Sequence, residues 1–154
     1  MSMPVGARLT IDVGNAKIVD RSLSRFTGVV SDWTDAWPAV ESIVLHETER
    51  QFASEGKYGS GGWKPLSDSY LTYKQNTDGL STEIGTATGR LRKSLTIQDA
   101  HEGVRVQAPG EFLYGTTVPY FKHFNTERTA VQLPESARRS ITRALQAHAM
   151  AVWS

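Results

Sequence analysis

The spacing of apolar positions along this chain changes several times, and each change marks an element. Residues 7–13, ARLTIDV, alternate apolar and polar, with Ala7, Leu9, Ile11 and Val13 on one side, the period-two signature of a half-buried strand. Gly14-Asn15 supplies a turn signal before AKIVD, so a strand or hairpin is expected there. After Asp35 the period lengthens. Pro38 stands where a first-turn proline is tolerated, and Trp37, Val40, Val44 and Leu45 fall near one face. With no glycine before Gly56 closes the run, the pattern predicts a helix over about 36–54.

A loop is expected next, at 56–66, because four glycines fall within the seven residues from Gly56 to Gly62 and leave the backbone either loose or tightly turned. Ser67 is placed to cap a short helix, DSYLTYKQ, with Leu66 and Leu71 spaced as a hydrophobic staple. Residues 76–86 are polar and contain glycine, which predicts an exposed loop. Thr88 is then placed to cap one helical turn, GRLRKSL. Strand-like LTIQ (95–98), VRVQA (104–108) and EFLYGTTV (111–118) follow, an antiparallel meander of two or three strands. Pro134 opens an amphipathic helix whose Ala137, Ile141, Ala144, Leu145, His148 and Val152 share a face, with Arg138, Arg139 and Arg143 off it. The fold class expected is α+β. A small antiparallel sheet packs with one helix from the N-terminal half and one at the C-terminal end, in a single domain, 1–154, whose residues 1–30 form a strand or arm.

Composition narrows the function. A hydrophobic share of 39% with 21% charged residues is that of a chain that folds around a core rather than a disordered one. No apolar run approaches the roughly 20 residues that span a bilayer, and the first residues lack the basic start and apolar stretch of a signal peptide; a cytosol-like compartment and no membrane partner are expected. The absence of cysteine excludes disulfides, thiolate nucleophiles and thiolate zinc sites. With 17 Lys and Arg against 16 Asp and Glu, the net charge of +1 is too balanced for a protein that grips a polyanion over its whole surface.

Catalytic and cofactor motifs are not evident. The four histidines, 46, 101, 123 and 148, are scattered and lack the spacing of a metal site; His123, in YFKHFN, reads as part of a packed aromatic corner. The segment GTATGRLRKS (85–94) has phosphate-loop composition without the Gly-Lys-Ser/Thr ending, and no Gly-x-Ser-x-Gly elbow is present. No enzyme activity, cofactor or metal is therefore expected.

Taken in order, FASEG (52–56), WKPLS (63–67) with Tyr70 and Lys74 beyond it, TGRLRKS (88–94) and the Val118-Pro-Tyr120 segment resemble the virion-morphogenesis, or tail-completion, family of tailed bacteriophages. Its members carry F-x-x-E-G, W-x-P-L-S, T-G-x-L-x-x-S and a Pro/Tyr segment before a C-terminal helix. The resemblance covers roughly residues 36–150. Asn125 stands where the family has glycine, and RTAVQLPES replaces an Arg-Pro-Phe-like stretch, which leaves the place in the virion open. What the resemblance implies is a non-enzymatic protein of the head-to-tail junction, assembled in the bacterial cytoplasm. It would act as a ring, often of six copies, beside other neck and tail proteins, with DNA only passing through the channel. A tail terminator or head-closure ring protein is the nearest alternative, and a small nucleic-acid-binding module a more distant one.

On this reading Trp63, Pro65, Leu66, Arg90, Arg92, Lys93 and Tyr120 are the candidate subunit or partner contacts. Trp63 has two roles open to it: the indole folds back over the core, or it anchors the glycine loop in a neighbour. Arg90, Arg92 and Lys93 form either a solvated helix edge or a contact to a partner or to channel DNA.

Overall fold

The computed structural model describes residues 8–12, 30–86 and 88–153, with the side chains of 8–12, 123, 126, 127 and 153 outside the description. Helix α1, Trp37–Ala53, is the central element. Trp37, Val40, Val44, Thr48, Gln51 and Phe52 recur along it at helical spacing and are all fully buried, so one stripe carries most of its packing. Helices α4, Arg90–Thr96, and α6, Glu135–Trp153, pack against it. From α6 the apolar residues Ala137, Ile141, Leu145 and Ala149 face inward, whereas Val152 is exposed. His148 rests against the Trp33 ring, with Nε2 2.8 Å from the Asp32 carbonyl.

The sheet has three strands in the order β1-β3-β2, all antiparallel: β1, Arg8–Asp12; β2, Gly103–Gln107; and β3, Glu111–Thr116. The central strand is the hairpin's second arm, and the N-terminal strand pairs along its far side with Leu9 opposite Tyr114. The AKIVD half of the expected N-terminal hairpin lies outside the described residues.

LTIQ is not a strand. Helix α4 continues through Thr96, after which Ile97 turns out to solvent at 52% exposure. Leu91 and Leu95, four apart, are both buried, and the Ser94 and Thr96 hydroxyls donate to the carbonyls of Leu91 and Arg92 at 2.6 and 2.7 Å. That is a helical repeat closed by local hydrogen bonds, and it prevails over the β-branched composition. Thr88 is likewise displaced from the cap position expected for it. Gly89, at φ +85°, is the residue that starts α4, and the Thr88 hydroxyl only accepts a long 3.4 Å bond from the Arg90 N–H.

Polar groups hold the sheet to the helices. The buried Tyr114 hydroxyl donates to the Leu95 carbonyl and lies 3.2 Å from Thr48 Oγ1, while Ser94 and Thr116 share a buried 2.7 Å hydroxyl pair. Arg105 lies over the Tyr114 ring and forms a 3.1 Å ion pair with Glu41 of α1. Burial pushes the Glu41 carboxyl up and the Arg105 guanidinium down from their ordinary pKa values, each chiefly by desolvation and partly offset by the other's charge. Desolvation thus opposes both charges of a pair that bridges sheet and helix.

The glycine segment is a built turn, not an open loop. It contains a short helix, α2, Lys57–Ser60, flanked by Gly56 and Gly61 in the left-handed region at φ +83° and +79°. The fully buried Gln51 side chain organises it. Its Nε2 donates to Ser60 Oγ and to the Thr129 carbonyl, both at 2.8 Å, and its Oε1 accepts from the Gly59 N–H at 2.9 Å. The two flanking glycines differ in one respect. A Cβ on Gly56 would stand 2.2 Å from Trp63 Cδ1, whereas one on Gly61 would meet nothing within 4 Å. Gly61→Ala should therefore cost about 1–2 kcal/mol, the left-handed penalty alone. Gly56→Ala should add overpacking of about 1–3 kcal/mol. Urea unfolding of both variants checks this, and equal losses would show that the Trp63 contact is not the constraint described.

Candidate docking cleft

Trp63 is 6% exposed. Its indole meets Phe52 and Phe124 edge to face, at centroid distances of 5.1 and 5.2 Å, and its Nε1–H donates to the Thr129 carbonyl at 2.8 Å. The ring is thus fully engaged within its own chain, and of the two roles expected for Trp63 the structure selects the core cover. The reason is the geometry of the turn: Gly56 removes the side chain that would occupy the indole's place, and the Trp63 N–H is fixed by the Glu55 carbonyl at 2.8 Å.

The other face of this aromatic group forms the wall of a surface cleft of about 640 Å³. Pro65 and Leu66 line one side, Tyr70 and Lys74 of α3, Asp68–Gln75, line another, and Tyr120 and Phe124 at α5, Phe121–Glu127, close it. Each wall has a local cause. Ser67 caps α3, its Oγ accepting from the Tyr70 N–H at 3.3 Å, and Leu66 and Leu71 on either side of that cap are half-buried. Glu55 Oε2 accepts from the Ile84 N–H at 2.8 Å, and a Cβ on the next residue, Gly85, would stand 3.0 Å from Phe124 Cζ and 3.1 Å from Trp63 Cζ3. Arg128 donates to the Lys64 and Pro65 carbonyls at 3.0 and 3.4 Å and lies over Phe124. The YFKHFN corner forms α5, with Phe121 buried; the side chain of His123 lies outside the described residues.

Electrostatically the cleft is one-sided. Lys64, Lys74 and Arg128 line it, and among the described residues no carboxylate does. Lys74 is the unusual member: it is 2% exposed, and its Nζ donates to the Glu83 carbonyl at 2.9 Å. Burial lowers its pKa from the ordinary 10.5, with the charges of Glu55 and Glu83 opposing that shift and Arg128 adding to it. Those two carboxylates are already engaged, Glu55 with the Ile84 amide and Glu83 with Arg92 at 3.1 Å. Thr86 Oγ1, also in the lining, is buried without a hydrogen-bond partner among the described residues.

The seven residues expected as contacts separate into three groups. Pro65, Leu66 and Tyr120 meet in the cleft, with Tyr120 46% exposed at its mouth, and Trp63 supports it from beneath. Arg90, Arg92 and Lys93 lie outside its lining. Arg90 holds Glu102 through two hydrogen bonds of 2.7 and 2.5 Å, which raise its own pKa and lower that of Glu102. Arg92 bridges Glu49 and Glu83, and its hydrogen bond to Glu49 is the main reason its pKa is raised. Lys93 is exposed. Sequence reading placed Lys74 in a motif without a role, although its position three after Leu71 puts it on the inward side of α3. Nothing local marks Thr86 or Arg128.

No family model, curated protein or solved structure matches the chain. Among the described residues no group of His, Asp and Glu could hold a metal ion, and no helix is long and apolar enough to cross a membrane.

Trp63→Ala should cost about 3–5 kcal/mol, the usual range for truncating a buried aromatic; a thermal melt of the purified variant checks it, and an unchanged midpoint would remove the indole from the core. Lys74 makes a separate, signed prediction. Its folded pKa lies below 10.5, so between the two values the unfolded chain binds more protons and stability rises with pH. The stability of the wild type relative to Lys74→Met should therefore climb as pH approaches 10.5, and urea titrations on the alkaline side that show it flat or falling would contradict the assignment.

Proposed function

We propose that this protein is a structural component of the head-to-tail junction of a tailed bacteriophage, a tail-completion protein that acts as a ring and allows heads and tails to join. The observation that carries the reading is the convergence of the separate motifs behind the resemblance. Phe52, Glu55 and Gly56 of FASEG seat the Trp63 ring and hold Ile84. Ser67 of WKPLS caps the helix that carries Lys74. Gly89, Leu91 and Ser94 of TGRLRKS open α4, line the cleft and tie α4 to β3. Motifs far apart in the chain thus lie around or beneath one cleft, with Pro65, Leu66, Ser67, Thr88, Gly89, Leu91 and Tyr120 in its lining, which supports a shared partner-binding role. The same arrangement disfavours the nucleic-acid module, because Tyr114 on the helix-facing side of the sheet is fully buried and cannot serve as a stacking platform.

The test is genetic and visual. A phage lacking the gene should yield filled heads lying apart from tails in negative-stain electron micrographs, and supplying the protein in trans should rejoin them. Normal infectious particles without the protein would overturn the proposal.

A further inference from the structure

We infer that the cleft between α3, residues 85–86 and 88–89, and α5 binds an extended segment of a partner protein that presents a carboxylate side chain beside apolar ones. The inference rests on the junction reading for where the partner is found, and on the cleft alone for what the partner presents. The apolar requirement follows from Pro65, Leu66, Tyr70, Leu91, Tyr120 and Phe124, which line the cleft beside its cations and hydroxyls. The carboxylate requirement follows from the floor. Lys74 is 2% exposed, and among the described residues its ammonium has one hydrogen bond, to a neutral carbonyl, with the Tyr70 ring 5.6 Å away and the Glu55 and Glu83 charges acting on it without a hydrogen bond. An ammonium has three donors, and a buried cation so supplied favours an anion that enters with it. Thr86 Oγ1 adds a buried hydroxyl that has no hydrogen-bond partner among the described residues, and Arg128 supplies a second cation in the lining.

A nucleic acid fits less well. Its backbone calls for cations strung along a track, whereas here Lys74 and Arg128 line one cleft beside apolar residues, and Arg90 and Arg92 on the neighbouring helix are already paired with carboxylates. The volume, about 640 Å³, is in the range of sites that enclose a compact group of atoms, such as a few consecutive side chains of one segment.

The experiment is selection of random short peptides on the immobilised full-length protein, followed by fluorescence anisotropy of the enriched sequences. Enriched peptides should share Asp or Glu next to Leu, Ile, Val or Phe, and replacing the acid by its amide should weaken binding about tenfold or more. Lys74→Met and Arg128→Gln should each produce a loss of similar size. Because Lys74→Met could disturb folding, Thr86→Val is the second variant. It replaces an unpartnered hydroxyl by a methyl of the same shape, so its melting temperature should not fall, while peptide binding weakens about two- to tenfold. Enrichment of neutral or basic peptides, no saturable binding, amide peptides that bind equally, or an oligothymidylate that competes for the cleft would each overturn the inference. Failure here with head-tail joining still dependent on the gene would remove the cleft and leave the junction reading standing; acidic peptides bound by a protein dispensable for joining would do the reverse.

Discussion

One indole and one carbonyl constrain the middle of this protein. The Thr129 carbonyl accepts from Trp63 Nε1 and from Gln51 Nε2, both at 2.8 Å, and so joins the end of α1, the glycine turn and the segment leading into α6 at a single atom. The arrangement exists only because Gly56 carries no side chain: its missing Cβ is the space the indole ring occupies. Steric exclusion and a shared acceptor act together: the indole N–H has this one partner among the described residues, while the Gln51 amide also reaches Ser60 and Gly59. Phe52 and Phe124 then pack around the ring, and the cleft wall is the outer side of that group.

The charged groups divide along the same lines. On the helix edge the exposed Arg90 pairs with Glu102, where screening leaves such a pair little influence on the fold, and the half-buried Arg92 bridges Glu49 and Glu83. In the interior, Arg105 and Glu41 meet between sheet and helix, with desolvation acting against both charges. Lys74 belongs to neither class. It is buried as deeply as the core aromatics, yet it sits at a surface concavity, and Glu55 and Glu83 support its charge from behind rather than from inside the cleft.

Long periodic segments were legible from sequence because their signal is repeated. Helix α1 and helix α6 each carry a stripe of apolar residues at helical spacing, the Ser67 cap announces α3, and the alternation in residues 7–13 and 104–108 marks strands. LTIQ misled because β-branched composition over four residues cannot outweigh the i,i+4 pair of Leu91 and Leu95, which earns its burial only when α4 docks on α1 and β3. The glycine segment was legible as unusual, but its composition is equally that of a flexible linker or a tight turn, and Gln51 decided between them from a helix that precedes it.

The candidate site was half visible. Pro65, Leu66 and Tyr120 were picked out and line the cleft, and Trp63 was singled out with two roles open; Lys74 was noticed without a function, and Thr86 and Arg128 were not noticed at all. Sequence by itself determined the element types, the stretch of chain in which Trp63 would matter and the near-neutral charge, because these depend on local spacing and composition. Only the tertiary structure decided which face of the indole is covered, that the cations of α4 are paired, and that Lys74, Thr86 and Arg128 share one concavity with the tyrosines. Those outcomes depend on desolvation and contact between residues dozens of positions apart, and neither quantity exists until the chain has closed on itself.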